Sequence, residues 1–237
     1  MSLNIILEGV VGSRAYGLDH SGSDTDTMGV FVADYHDILG LAGVSEAGRS
    51  YQSVNPDKSL HEVGKFFTTC LQGSLNFWEL LYLDDYTTCT VAGTMLIDHR
   101  SELLSAPSVR RTCLGHVRGA LKDVERYNAM LADAQSDVDR HDAERIVRKR
   151  ALHALRVAHH GVELLETGGL TVRISADVCQ ELFDRAAGAV SEPHEFSKYI
   201  SNYINILRDG KSVLPQFPNS SSVDALLVDV RLFERGF

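Results

Sequence analysis

The sequence predicts an α/β (α+β) protein in which a small α/β domain is followed by an all-helical domain, with the boundary near residues 100–107. Three observations predict it. Branched apolar runs at residues 3–11 and 28–32 read as buried strands. The apolar period turns helical from residue 59. Beyond about Pro107 nearly every segment keeps that helical period, interrupted by glycine or proline. The expected domains are therefore residues 1–105 and 106–237.

The elements follow in order. Leu3-Asn4-Ile5-Ile6-Leu7-Glu8-Gly9-Val10-Val11 is the first strand, and Gly12 ends it. Met28-Gly29-Val30-Phe31-Val32 is the second, and Arg49-Ser50-Tyr51-Gln52-Ser53-Val54 a looser third that Asn55-Pro56 breaks. From Ser59 onward, Leu60, Val63, Phe67, Cys70 and Leu71 share one helical face, and Ser59-Leu60-His61-Glu62 fits a capping box. A short apolar helix from Leu75 to Leu83 carries Phe77, Trp78 and Glu79, with Trp78 read as core; Asp84-Asp85 and Gly93 mark loops. The remaining helices are expected at about 108–134, 142–166, 176–187, 195–208 and 223–233. Gly168-Gly169, Pro193, Pro215 and Pro218 separate them, and Asn219-Ser220-Ser221-Ser222 is a loop before the last.

Size and composition bound the function. A chain of 237 residues can bury this core without disulfides or structural metal. No apolar run approaches the roughly 20 residues that span a bilayer, so no membrane partner is expected. Met1-Ser2-Leu3-Asn4 leads straight into a strand and lacks a secretory signal, so the expected location is cytoplasmic. Cys70, Cys89, Cys113 and Cys179 are scattered, without a CxxC pair, and read as reduced, mostly buried thiols. A net charge of −9 does not suit a protein that coats duplex DNA through a broad basic surface. It leaves room for a nucleotide or a nucleic-acid end, because bound metal supplies positive charge locally.

The chemistry gathers early in the chain. Gly12-Ser13 follows a buried strand, and Ser23-Asp24-Thr25-Asp26 leads into the next. Alternate strand residues face one side, so Asp24 and Asp26 project together. Two converging carboxylates repel unless a cation sits between them, and magnesium is the natural occupant. Gly12 lets the backbone approach a phosphate, and Ser13 adds a hydroxyl and an amide donor. Arg14 suits either a triphosphate or a structural ion pair, and Tyr16 reads as packing. Lys149, His153, Arg156 and His160 recur at helical spacing on one face, roughly opposite Ala151, Leu155, Ala158 and Val162. That face reads either as a solvated stripe or as the lining of a cleft that meets phosphates. His159-His160 has no further ligands at zinc spacing.

The ordered set Gly12-Ser13-Arg14-Ala15-Tyr16-Gly17, Ser23-Asp24-Thr25-Asp26 and Gly29-Val30 resembles the DNA polymerase beta-like nucleotidyltransferase superfamily. Within it, the set is most similar to the predicted nucleotidyltransferases associated with RNA repair. Asp57, Glu62, Lys65-Phe66, Asn76 to Leu81, and Lys149 with His153 and Arg156 extend the likeness. The family's usual Asn-Pro is absent, replaced by Ser74-Leu75-Asn76-Phe77-Trp78. The resemblance implies a small mixed sheet with flanking helices, and attack of a hydroxyl on the α-phosphate of a nucleoside triphosphate with release of pyrophosphate. It implies two magnesium ions, with manganese able to substitute, held by Asp24, Asp26 and a third carboxylate.

Asp57 matches the family position for that third acid, with a helix cap as its structural alternative. Glu62 reads as a capping or supporting residue, with the third ligand as its other role. Gly12, Ser13, Arg14, Lys149, His153 and Arg156 form the implied nucleotide-binding set, and the implied partners are a nucleoside triphosphate and an RNA end. Two rivals stand beside this reading: a nucleotide-binding regulatory or antitoxin-like protein of the same fold, and a transferase acting on a protein or small molecule.

Overall fold

The computed structural model describes residues 3–20, 22–40, 43, 45, 47–133 and 136–234. Met1 and Ser2, the expected leaderless start, and Ala134, the expected end of the first long helix, lie outside the described residues.

Two compact units divide the chain. The first holds residues 1–108, 171–173 and 215–237; the second holds 109–170 and 174–214. The last helix, placed by the sequence in the helical domain, groups with the first unit, as do residues 106–108 and 171–173.

In the first unit, β1 (Asn4–Val11), β2 (Asp26–Val32), β3 (Ser50–Val54), β4 (Asp57–Glu62) and β5 (Thr88–Cys89) form a mixed sheet in the order β3-β4-β2-β1-β5. β2 and β4 run parallel, and the other pairs are antiparallel. Ile6, Leu7, Val30 and Phe31 are buried, as the branched and aromatic runs required. α1 (Ser13–Tyr16) and α2 (Tyr35–Leu39) are single turns beside the sheet; α3 (Val63–Gln72), α4 (Leu75–Leu80) and α5 (Val91–Asp98) are its flanking helices. α3 buries Val63, Phe66, Phe67 and Cys70, a helical stripe, and Trp78 of α4 donates its indole N–H to the Cys70 carbonyl at 3.0 Å.

Two expectations here are corrected. Ser59 to Glu62 finish β4 and do not open a helix, because their backbone groups pair in parallel with β2, from Thr27 opposite Lys58 to Phe31 opposite Glu62. Glu62 does cap α3, with its own carboxylate: it accepts from the amides of Gly64 at 2.8 Å and Lys65 at 3.3 Å. Gly93 lies inside α5 and not in a loop, since any Cβ there would collide with the Ile6 carbonyl of β1. α10 (Ser220–Phe233) packs on α3 and α5, where Arg231 meets Glu62 at 2.8 Å and Glu234 accepts from Asn4 at 2.7 Å.

The second unit is helical. α6 (Ala106–Ala132) enters it, followed by α7 (Asp137–Thr167), α8 (Ala176–Ser191) and α9 (Pro193–Asp209). Gly161 of α7 is tight: a Cβ there would stand 2.7 Å from Cys113 Sγ and 2.8 Å from Leu207 Cδ2. α6, α7 and α9 can meet this closely only because that side chain is missing. Gly168, with φ 74, ends α7 in the left-handed conformation a helix stop favours. Among the described residues, no helix is long and apolar enough to cross a membrane. Cys70, Cys113 and Cys179 are buried thiols, and Cys89 is an exposed one.

Candidate active site

The corner where β1 leaves the sheet and β2 enters it is set by register. Val11 pairs with Asp26, so the chain departs at Gly12 and returns at the carboxylate beside it. Gly12 adopts φ 75 and ψ −154, and a Cβ on it would stand 2.6 Å from Asp26 Oδ2. Only glycine fits both the backbone and the space. α1 follows as a single turn, in which the Tyr16 amide donates to the Gly12 carbonyl at 3.2 Å and the Leu18 amide to the Ser13 carbonyl at 3.0 Å.

β4 brings the third acid. Asn55-Pro56, joined by a cis peptide, closes a tight hairpin in which Val54 pairs with Asp57, and the parallel pairing of Lys58 with Thr27 sets Asp57 beside Asp26. Asp57 therefore opens a strand and caps no helix. Asp26 feels its neighbours: burial first, then the negative charges of Asp57 and Asp24 and a side-chain hydrogen bond with Asp57, push its carboxyl above the ordinary value of 3.8. Asp24 and Asp57 are exposed, and Asp26 is half-buried.

Arg14 binds main chain, not a carboxylate. Its guanidinium donates to the Ser23 carbonyl at 2.8 Å and to the Asp24 carbonyl at 3.2 Å, fixing the segment that carries Asp24. Ser23 is further held by the His20 amide, which donates to its hydroxyl at 2.9 Å. Glu62 lies at the opposite end of β4 from Asp57, committed to the α3 amides and to Arg231, and does not join the cluster.

Hard carboxylate oxygens beside a glycine-opened backbone are the donor type that magnesium takes, and the repulsion that Asp57 and Asp24 add to the burial of Asp26 is what a dication relieves. Among the described residues, no group of three or more histidine, cysteine, aspartate or glutamate side chains already stands at metal-holding geometry. The acids are neighbours, then, without being a closed cage.

Lys149, His153 and Arg156 lie on α7 in the second unit. Lys149 is exposed, while His153 is half-buried with its ring edge-on to His116 at a centroid distance of 6.0 Å. Arg156 is 5% exposed with Nη1 3.4 Å from Nδ1 of His160, itself fully buried. Of the two readings of this face, the solvated stripe does not describe Arg156 and His160, which are buried. In the C-terminal half of α7, Arg156 and His160 are buried while His153, His159 and Glu163 are half-buried, so its polar positions differ in exposure. Burial and the charge of His160 together lower the pKa of His159.

Two residues of this region escape pattern reading. Glu79 is buried in α4 and accepts the Tyr16 phenol at 2.6 Å. Its signal was a carboxylate placed within an apolar helix, which is rare without a partner. Arg231 gave no signal, since its tie to Glu62 joins opposite ends of the chain.

A comparison with curated proteins returns no match. Residues 1–191, which hold the whole carboxylate corner together with α7 and stop before α9 and α10, match RlaP, the RNA repair pathway DNA polymerase beta family, and the chain belongs to that family.

Proposed function

We propose that the protein is a magnesium-dependent nucleotidyltransferase that moves a nucleoside monophosphate from a nucleoside triphosphate to a hydroxyl acceptor, an RNA end, with release of pyrophosphate. Membership in a polymerase beta-like RNA repair family supports a nucleotidyltransferase-type role. The observation that carries the finer reading is Asp26, raised by burial and then by Asp57 and Asp24 while its oxygen fills the space a Gly12 side chain would take. Gathering three acids at one strand corner sets like charges together, and a protein gains from it when a cation is to be held there.

Asp24, Asp26 and Asp57 would hold two magnesium ions, which when bound lower the pKa of the attacking hydroxyl and neutralise charge on the departing phosphates. The chain itself supplies placement. Gly12 lets a phosphate come close to the backbone, and Ser13 offers a hydroxyl and an amide. Arg14 keeps Asp24 at the corner through its two carbonyl contacts. Lys149 and His153, which reach the surface of α7, are assigned to phosphates of the triphosphate or the acceptor. Positioning and charge neutralisation supply most of the rate in such a transfer.

Incubation with a nucleoside triphosphate radiolabelled at the α-phosphate, magnesium and total RNA should label RNA and release pyrophosphate, and Asp26→Asn should abolish both. Label that appears on protein or a small molecule would remove RNA as the acceptor. Failure to label anything with any common nucleoside triphosphate would overturn the reaction.

A further inference from the structure

We infer that Tyr16 and Glu79 are a positioning pair that sets where Gly12 and Ser13 meet a triphosphate; the inference rests on the phosphate-gripping role proposed for those two residues. α1 runs only from Ser13 to Tyr16. A single turn has little stability of its own, because nucleation fixes several dihedrals for one hydrogen bond. Its place must come from contacts outside itself.

Tyr16 supplies that contact. Tyr16 is 9% exposed, and its phenol donates at 2.6 Å to Oε2 of Glu79, a residue 2% exposed. A buried carboxyl is costly unless it is hydrogen-bonded, and the other buried positions of α4 are Leu75, Trp78 and Leu80. A carboxyl at 79 is thus out of place by packing alone, and the Tyr16 phenol is a partner that holds it. α4 is a firm support, since Trp78 is fully buried and bonded to α3. The link back to the grip is short. The Tyr16 amide donates to the Gly12 carbonyl, and Gly17, with φ 75, closes the turn. A shift of the phenol therefore moves the Gly12-Ser13 backbone. The pair is distinct from the carboxylate corner, where Asp24, Asp26 and Asp57 stand.

The test is equilibrium binding of inorganic tripolyphosphate in magnesium buffer, by calorimetry on the full chain, with amide exchange over residues 13–18 beside it. Tyr16→Phe removes only the hydroxyl and should weaken Kd about tenfold and raise exchange in α1, with a lower melting temperature because the buried Glu79 carboxyl loses a donor. Glu79→Gln keeps the volume and a weaker acceptor, and should weaken Kd roughly two- to threefold. It carries the same test should Tyr16→Phe fail to fold.

In turnover, kcat/KM for the triphosphate should fall by at least the factor seen in binding, because the gripped phosphates depart as pyrophosphate and gain charge in the transition state. In a Ser13→Ala background the Tyr16→Phe effect should shrink, as expected when one residue acts through another. An unchanged Kd in both variants, or effects of Tyr16→Phe and Ser13→Ala that simply multiply, would overturn the pair. Wild-type protein that binds tripolyphosphate through this pair yet transfers no nucleotide would sink the proposed reaction and support the pair.

Discussion

Gly12 and Asp26 share one space: a Cβ on residue 12 would stand 2.6 Å from Asp26 Oδ2. Gly12→Ala therefore acts twice. The backbone at φ 75 strains an L side chain by about 1–2 kcal/mol, and the added methyl drives the carboxylate from its place. Transfer should fall by about two orders of magnitude or more, with the melting temperature lowered by roughly 2–8 °C and the circular-dichroism spectrum intact. An active Gly12→Ala would show that Asp26 does not work from this position.

Asp26 also makes a pH prediction. Its folded carboxyl is raised above 3.8 by burial, Asp57 and Asp24. A raised acid binds its proton more tightly in the folded state, so its contribution is fully present below the unfolded value and is lost as pH rises through the folded one. Without metal, wild type should lose stability relative to Asp26→Asn on going from about pH 4 towards neutrality. Melting curves over that range should diverge in that sense, and magnesium at neutral pH should raise the wild-type curve more than the variant's. Parallel curves would mean that burial and the neighbouring acids do not raise Asp26.

Much of the site was legible because it is local. Gly12-Ser13 ends one strand and Asp24-x-Asp26 begins the next, so spacing alone brought them together. Asp57 was legible only through resemblance, since its place depends on the parallel pairing of β4 with β2, a non-local fact. Leu60 misled the reading of the helix start, because it fits the apolar stripe of Val63, Phe67 and Cys70 as well as a strand's alternation. Gly93 misled it again: a glycine that makes room for the Ile6 carbonyl looks in sequence like one that ends an element. Arg231 with Glu62, and Tyr16 with Glu79, join distant parts of the chain and leave no periodic trace.

Asp57 and Glu62 sit at opposite ends of β4 and should fail in opposite ways. Asp57→Asn keeps shape at an exposed position, so the protein should melt like wild type and transfer almost nothing. Glu62→Gln weakens a buried cap and its tie to Arg231, and should cost about 1–3 kcal/mol of stability. Its remaining folded fraction should keep most activity. Denaturant midpoints with single-turnover rates would decide, and the reverse pattern would return the third metal ligand to Glu62.

The face of α7 separates into a part that can meet substrate and a part that holds structure. Lys149 is exposed, so Lys149→Met should leave stability within about 0.5 kcal/mol. If its ammonium meets phosphate, the KM for one substrate should rise, and the rise should shrink at high salt where such attraction is already screened. Arg156 is buried with its guanidinium beside His160. Arg156→Met removes donors from a site that water cannot refill, so stability should fall by about 2–4 kcal/mol, and Arg156→Lys should restore the charge without the planar fork. His153→Asn keeps a polar group but loses the ring that meets His116 edge-on, so it acts through shape. Steady-state kinetics for all four variants, with melting curves as the folding control, separate these effects. Unchanged kinetics in Lys149→Met and His153→Asn, with Arg156→Met altered only in stability, would confine the phosphate contacts to the sheet unit.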